Sequence, residues 1–374
     1  MTATAAPLAT DLPPTPAAPG EPPFDPAAAE SFAERVAGQL EAGAVTAMIA
    51  IGHRAGLFDA MAHRPPATSH QIAAASGLAE RYVREWLAVM VTGGIVDYDP
   101  QRRTYRLPDA HAACLTRGAP LGNLAVYARH VALLGAVQDN VLDCFETGEG
   151  LAYDDYPHFH DLMAEDSDMT VAAALTDHVL PLVPGLAERL AAGIDVLDAG
   201  CGRGGALRVL AERFPASRFV GRDLSAEATA QAAAAARDRG LANLVFEQAD
   251  LTFLDDSGRF DLVTSFDAVH DQKDPERLIR AIHRALRPGG TYLMQDIGGS
   301  AKLENNIGFP MAAFLYAVSC AHCTPVSLGQ GGAGLGTMWG WETAEAMLRG
   351  AGFDPVERHV LPHDPMNVWF VATR

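Results

Sequence analysis

Short apolar runs alternate with segments of helical periodicity through the second half of the chain. The runs are Ile194–Leu197, Arg218–Asp223, Leu244–Leu251, Phe260–Phe266, Thr291–Asp296, Val356–Leu361 and Asn367–Ala372. Helical patterns lie between them at Gly205–Phe214, Asp274–Arg287 and Ala344–Gly352. Strands that alternate with helices are typical of a parallel sheet, and the last two runs predict an antiparallel pair. We therefore predict an α/β fold whose seven-stranded sheet is mostly parallel, with the last strand antiparallel.

A mainly helical pattern covers residues 29–117 instead. Helical spacing is found in Ser31–Gly56, Thr68–Leu78 and Glu80–Thr92, and two short β runs then flank a turn at residues 99–102. Helix, turn, helix and hairpin in this order predict a winged-helix domain.

Three further regions complete the domain organisation. Residues 118–185 predict a helical bridge with long helices at Leu121–Phe145 and Met169–Leu182, and residues 186–374 hold the sheet. An insertion at about 297–338 ends in many glycines, which suits a lid. Residues 1–28 are rich in proline, alanine and threonine, so we expect a disordered tail.

A glycine-rich turn joins the first strand of the sheet to its first helix. Asp198, Gly200, Gly202 and Gly204 form the pattern D-x-G-x-G-x-G. Glycine permits a tight turn, and the amides at the start of the following helix form an anion pocket. The pattern resembles motif I of the class I S-adenosylmethionine-dependent methyltransferases, and the L-R-P-G-G sequence at 286–290 resembles another hallmark of that family.

This resemblance implies a Rossmann-like methyltransferase sheet and S-adenosylmethionine as the cofactor. Asp223 ends the second strand, where it would reach the ribose, and Asp250 ends the third, where the family places an acid against the adenine amine. The cofactor-binding residues that it implies are Asp198, Gly200, Gly202, Gly204, Asp223, Leu224, Asp250, Leu251 and Phe266.

His270 and Asp271 are the candidate catalytic residues. They follow the fourth strand, at the sheet edge where open α/β sheets bind ligands. Plant-type O-methyltransferases carry a catalytic base in a His-Asp-Trp motif here, whereas this chain has His-Asp-Gln. A histidine suits the removal of a hydroxyl proton, with Asp271 orienting the ring. The alternative, a histidine that only packs against the cofactor, stays open.

The resemblance also implies a substrate pocket with an aromatic wall. Its candidate residues are Tyr156, Phe159, His178, His322 and Trp339. Ordinary packing between domains is the alternative for each. The sequence Cys320-Ala321-His322-Cys323 contains zinc-type ligands, but a closed zinc site needs four and no second cysteine pair exists, so we expect no metal. These groups could instead face a thiol or another soft acceptor.

The charge of the winged-helix domain distinguishes between two possible roles, DNA binding and dimerisation. The net charge is −18, and the charged residues of the candidate recognition helix, Glu80, Arg81, Arg84 and Glu85, cancel. A DNA-reading surface is basic, so nucleic acid is not the expected partner. The domain resembles the dimerisation domain found in front of many small-molecule O-methyltransferases, which implies a homodimer. The competing hypothesis is a methyltransferase-like regulator that senses a ligand and binds DNA.

The remaining features of the sequence indicate where the protein acts and on what kind of substrate. Five cysteines do not suggest a disulfide framework, no long apolar run predicts a membrane span, and the start of the chain does not resemble a signal peptide. We therefore expect a cytoplasmic methyltransferase that acts on a hydroxyl, or a thiol, of a small molecule such as a secondary metabolite.

Overall fold

The computed structural model describes residues 24–119 and 122–374. Residues up to Val45 belong to one compact unit and Thr46–Arg374 form a second, so most of the winged-helix region shares a unit with the sheet. Most of the predicted disordered tail, residues 1–23, lies outside the described residues. Residues 26–28 are already helical, because the first helix begins at Pro26 rather than Ser31.

The winged-helix elements are those that the sequence predicts, with two short helices added. They are α1 (Pro26–Arg54), α2 (Leu57–Met61), α3 (Ser69–Ser76), α4 (Glu80–Thr92), β1 (Asp97–Asp99), β2 (Thr104–Arg106) and α5 (Asp109–Leu115). The Thr68 side chain accepts the Gln71 amide in a capping box that starts α3. Helices α2 and α5 have only 5 and 7 residues, too few for a visible apolar period.

The bridge differs from its prediction in both long helices. Its helices are α6 (Leu124–Ala136), α7 (Gln138–Thr147), α8 (Phe159–Ser167) and, after it, α9 (Leu186–Ala192). The predicted Leu121–Phe145 helix breaks at Val137, whose backbone leaves the helical region, and Leu121 itself lies outside the described residues. The predicted Met169–Leu182 helix is instead a series of π and 3₁₀ turns, and Pro181 removes a backbone donor there.

The seven-stranded sheet confirms the predicted α/β fold. Its strands are β3 (Asp195–Ala199), β4 (Arg218–Asp223), β5 (Leu244–Gln248), β6 (Phe260–Phe266), β7 (Leu286–Ile297), β8 (Val356–Leu361) and β9 (Asp364–Thr373). Their order is β5–β4–β3–β6–β7–β9–β8, with β9 antiparallel to both of its neighbours. The chain leaves the central strand β3 in two directions, which opens a crevice at the carboxyl ends of the strands.

Helices cover both faces of this sheet. They are α10 (Gly205–Arg213), α11 (Ala226–Asp238), α12 (Pro275–Ala285) and α15 (Trp341–Gly350), whereas α13 (Ala312–Val318) and α14 (Thr324–Gly329) belong to the insertion. Ile279 and Ile282 of α12 are fully buried in one core, and Leu207 and Leu210 of α10 in the other. Burying such side chains stabilises the fold by roughly 1.5–3 kcal/mol each. Helix α12 ends earlier than predicted because Leu286 already pairs with Phe260 in the sheet.

The predicted lid region contains α13, a π turn at Ser319–Cys323 and α14. One helical run among the described residues, Ala312–Gly329, is long and apolar enough to cross a membrane by length and composition, which by itself is weak evidence for a span. Phe314, His322 and Val326 of this run line an internal cavity, so the run is part of the wall of that cavity.

Candidate active site

A cavity of about 710 Å³ lies at the carboxyl ends of the parallel strands. The glycine turn, residues 200–204, lines one part, which we call the glycine end, and His270 lines another, which we call the histidine end. All nine residues that the resemblance assigns to the cofactor line this cavity, as do His270 and Asp271. Their roles stay predictions, but the fold brings them to one space.

The backbone at the glycine end requires glycine at two positions. Gly200 and Gly204 have φ values of 84° and 67°, which favour glycine. A Cβ on Gly204 would overlap the ring of Phe246, and one on Gly200 would overlap Ala268. The turn therefore passes close to its neighbours, and its Gly200 and Cys201 amides both donate to the carbonyl of Arg222.

Two acids flank this turn, and Asp223 holds it directly. Asp223 accepts the amide of Gly202 at 2.8 Å through one oxygen and that of Ser225 at 2.9 Å through the other. Asp198 is 3 % exposed and accepts the Thr264 hydroxyl at 2.7 Å. Burial raises the pKa of Asp198 to about 7. A cation bound beside Asp198 would favour its ionised form.

His270 lies between carboxylates at the histidine end. Its Nδ1 donates to Asp296 Oδ1 at 2.8 Å, and its Nε2 lies 3.2 Å from Asp271 Oδ1, an ion-pair distance without hydrogen-bond geometry. Burial opposes a charge on the ring, but Asp296 and Asp271 outweigh it and hold the pKa of His270 well above 6.5. The same ion pair lowers the pKa of buried Asp271 to about 2.

Asp296 is a site residue that the sequence reasoning missed. Its Oδ1 also accepts Trp339 Nε1 at 3.0 Å and the Ile297 amide at 2.8 Å. Three donors thus hold the carboxylate that orients His270. A signal was present in the sequence, because Asp296 stands near the end of its strand much as Asp223 ends β4.

Aromatic side chains surround His322 near the histidine end. Its ring stacks on Phe159 with centroids 4.3 Å apart, and Tyr156 contacts it edge-on at 4.7 Å. Burial lowers the pKa of His322 to about 4, so the ring is neutral near pH 7. Phe159, His322 and Tyr153 line the cavity, and Tyr153 was not predicted.

Three predicted pocket residues do not line the cavity. Tyr156 lies behind His322, and its hydroxyl donates to the carbonyl of Ala321. Trp339 lies in the core, where it holds Asp296 instead. His178 is exposed and packs on His363, because the irregular turns before Pro181 direct it away from the sheet edge.

The cysteines of the Cys-Ala-His-Cys sequence do not converge. Cys320 is exposed, whereas Cys323 is buried and accepts the Thr337 hydroxyl at 2.9 Å. All five cysteines are free thiols. The Cys323 sulfur lies with His270 and Asp271, the three ligand-type atoms being within 4.8 Å of one another. A closed zinc site needs a fourth ligand.

Backbone contact joins the two walls at this end. The amide of Leu151 donates to the carbonyl of Pro325 at 2.9 Å. A Cβ on Gly150 would overlap the backbone of Gly329 and Pro325, and a Cβ on Gly329 would overlap that of Leu151. The segment that carries Tyr153 and the insertion that carries His322 therefore meet without side chains between them.

The winged helix offers little for DNA. In α4, Arg81 pairs with Glu85, and Arg84 lies 3.4 Å from Glu80, so both arginines already face carboxylates on their own helix. The regulator hypothesis gains no support from this surface.

Two family profiles match the chain. Residues 43–117 match an Rv2258c-like winged HTH domain, and residues 190–331 match a methyltransferase domain. A trans-aconitate 2-methyltransferase of Deinococcus radiodurans is 42 % identical over 100 residues, which are 27 % of this chain and 36 % of that protein. The chain thus spans little more than a third of that curated relative.

Solved structures match over nearly the whole length. Human N-acetylserotonin methyltransferase, solved in complex with S-adenosylmethionine, has a TM-score of 0.67 at 14 % identity, over 94 % of this chain and 99 % of that one. The mitomycin 7-O-methyltransferase has a TM-score of 0.65 at 18 % identity, over 93 % and 99 %. At these identities the likeness concerns the fold. The chain therefore joins an Rv2258c-like winged helix-turn-helix domain to a methyltransferase domain, in the fold of two-domain O-methyltransferases.

Proposed function

We propose that the chain transfers the methyl group of S-adenosylmethionine to a hydroxyl of a small molecule. The observation that carries this proposal is that the glycine turn and His270 line one and the same cavity. Both partners of a methyl transfer could occupy that space together, since a ligand site commonly measures 300–1,000 Å³.

The residues of the glycine end fit the cofactor. Gly200, Gly202 and Gly204 add no side chains to the turn, and Asp198, Asp223 and Asp250 supply carboxylates for the amine, ribose and adenine groups. When bound there, the cofactor supplies an already activated methyl group. The chain is left to orient the acceptor and to remove its proton.

His270 is the group placed to remove that proton. With Nδ1 donating to Asp296, Nε2 is the nitrogen that can accept a proton from a hydroxyl. The ring must first be neutral, and its raised pKa means that the neutral form grows as pH rises above the ordinary histidine range. We therefore expect turnover to increase with pH on the alkaline side of neutrality.

A binding measurement followed by an activity screen tests the proposal. Calorimetry with S-adenosylhomocysteine should show one site per chain, and methyl-labelled cofactor should label hydroxyl-bearing small molecules in a panel. Absence of cofactor binding would refute the function. Transfer to thiols alone would refute the hydroxyl assignment.

We further propose that the protein is a cytoplasmic homodimer. Phe32 and Leu40 of α1 are 57 % and 72 % exposed, and Leu142 and Phe145 of α7 are 59 % and 73 % exposed. Such apolar helix surface favours a second copy as its partner. Light scattering should report twice the chain mass, and Leu40→Glu should lower it. A monomeric full-length protein, or its recovery with membranes, would contradict the proposal.

A further inference from the structure

Acceptor oxygens without donors gather at one side of the histidine end. Gln295 Oε1 and Asn367 Oδ1 are buried and unpaired, and the two side chains are 2 % and 7 % exposed. Asp267 Oδ1 accepts no hydrogen bond either, although it lies 3.8 Å from His270 Nδ1. All three residues line the cavity. A buried acceptor without a donor is costly, so a ligand that donates here would gain free energy of binding.

The sheet places these oxygens together. Asp267 directly follows β6, and its amide donates to the carbonyl of Gln295 at 2.9 Å. Asn367 pairs with Ile297 across β7 and β9, two residues beyond Gln295 and therefore on the same face. The Asn367 amide nitrogen donates to Asp364 at 2.8 Å, which fixes the direction of its free oxygen.

Aromatic rings and a further acid line the cavity beside them. Tyr127 and Phe314 pack edge-to-face with centroids 6.2 Å apart. Asp166 accepts His130 Nε2 at 3.1 Å and keeps a second carboxylate oxygen. The acidic chamber is the part of the cavity lined by Tyr127, Asp166, Asp267, Gln295, Phe314 and Asn367.

The charges of the lining residues determine which ligands the chamber can bind. Among the described residues that line the cavity, Arg203 and Arg208 are the only arginines or lysines, and both belong to the glycine end. Arg203 is also paired with Asp161 and Glu227. In the described lining the basic neighbours of Asp166 and Asp267 are therefore histidines, His130 at 3.1 Å and His270 at 3.8 Å. His270 is shared with Asp271 and Asp296, so carboxylates outnumber bases here, and aromatic faces attract cations.

We infer that the methyl acceptor carries a protonated amine, which binds in the acidic chamber through Asp166, Asp267 and the faces of Tyr127 and Phe314. This inference rests on the proposed function, because it names the substrate class of the same site. The ammonium donates to the unpaired oxygens of the chamber, while the acceptor hydroxyl lies toward His270.

A matched pair of probes tests the inference. Tyramine and tyrosol are both phenols of similar size, but only tyramine carries an amine. Calorimetry of each with the full chain, saturated with S-adenosylhomocysteine at constant pH and ionic strength, avoids turnover and leaves the cofactor end occupied. We expect tyramine to bind at least tenfold more tightly than tyrosol.

Two variants locate the effect. Asp166→Asn should remove most of the preference for tyramine, whereas Asp143→Asn, at an exposed position on α7, should keep it. Affinity for S-adenosylhomocysteine and the melting temperature establish that each variant is folded. Equal binding of the two probes to the wild type, or a preference that survives Asp166→Asn, overturns the inference. An Asp166→Asn variant that loses S-adenosylhomocysteine instead assigns the acid to the cofactor and also overturns it. Failure of the wild type to bind S-adenosylhomocysteine contradicts the proposed function itself.

Discussion

The two ends of the cavity are built in different ways. The glycine end comes mainly from one continuous stretch, Asp198–Gly205, completed by acids just beyond neighbouring strands. The histidine end collects side chains from α6, α8, β7, α13 and β9, which lie far apart in sequence. Backbone defines the first end and side chains define the second. Substitutions at the glycine end should therefore change the affinity for the cofactor, and substitutions at the histidine end should change turnover of the acceptor.

The largest expected effect is at the histidine end. His270→Ala should lower turnover by about 10²–10⁴-fold, the usual range for loss of a general base. Affinity for the cofactor should hardly change, because the His270 ring contacts Asp296 and Asp271 and none of the acids assigned to the cofactor. Steady-state kinetics and calorimetry check this, with exposed His178→Ala as the matched control. Lost cofactor affinity with turnover preserved at saturation would make His270 a packing residue.

The reverse pattern is expected at the glycine end. Asp223→Ala should weaken cofactor binding by roughly 1–3 kcal/mol, the range for hydrogen bonds to a charged group. The loss includes the bond that holds the Gly202 amide. Turnover at saturating cofactor should stay close to wild type. Asp238→Ala, at the exposed end of α11, is the control, and undiminished affinity in Asp223→Ala would show the assignment to be wrong.

The contact between the walls provides a test of stability. Gly329→Ala should lower the free energy of unfolding by about 1–3 kcal/mol, as overpacking does, because the new Cβ overlaps the backbone of Leu151. Gly350→Ala has nothing within 4 Å of its Cβ and should not destabilise. Chemical denaturation compares the two variants. Equal free energies of unfolding for the two variants would mean that the two wall segments move apart at little cost to make room for the new Cβ.

The smallest expected effect is the pH dependence of cofactor binding. Below pH 7 Asp198 binds a proton in the free protein, since burial raises its pKa to about 7. A cationic cofactor favours the ionised form, so affinity should fall by about tenfold per pH unit below 7 and level off above it. Asp198→Asn should bind more weakly and without this dependence. Calorimetry across pH measures the cofactor affinity of the wild type and of the variant. A wild-type affinity that does not change with pH would show that Asp198 does not interact with the cofactor.

The same contrast explains what the sequence could predict. Strands β4 and β6 match their predicted limits, and the glycine turn needs only local spacing to be recognised. His178 and Trp339 were placed in the pocket by order along the chain alone. The broken segment before Pro181 turns His178 outward, and Trp339 packs in the core against Asp296. Neither outcome follows from local pattern, because each depends on contacts between distant segments.

The acidic chamber was invisible to sequence reasoning for the same reason. Tyr127, Asp166 and Asn367 belong to three elements with no shared motif, and only the fold brings them to one cavity. The role of Asp296 could be predicted only in part from the sequence. Its place near a strand end was available, but its partners, Trp339 and His270, are 43 and 26 residues away.

The crossing of Gly150 and Gly329 constrains how this protein can diversify. Neither position has room for a Cβ, because the Cβ would overlap the backbone of the opposite segment whatever residue stands there. Homologues that keep this crossing should therefore keep glycine at both positions. New acceptor preferences would then arise by exchange of the rings that project from the two segments, while the crossing that supports them is inherited unchanged.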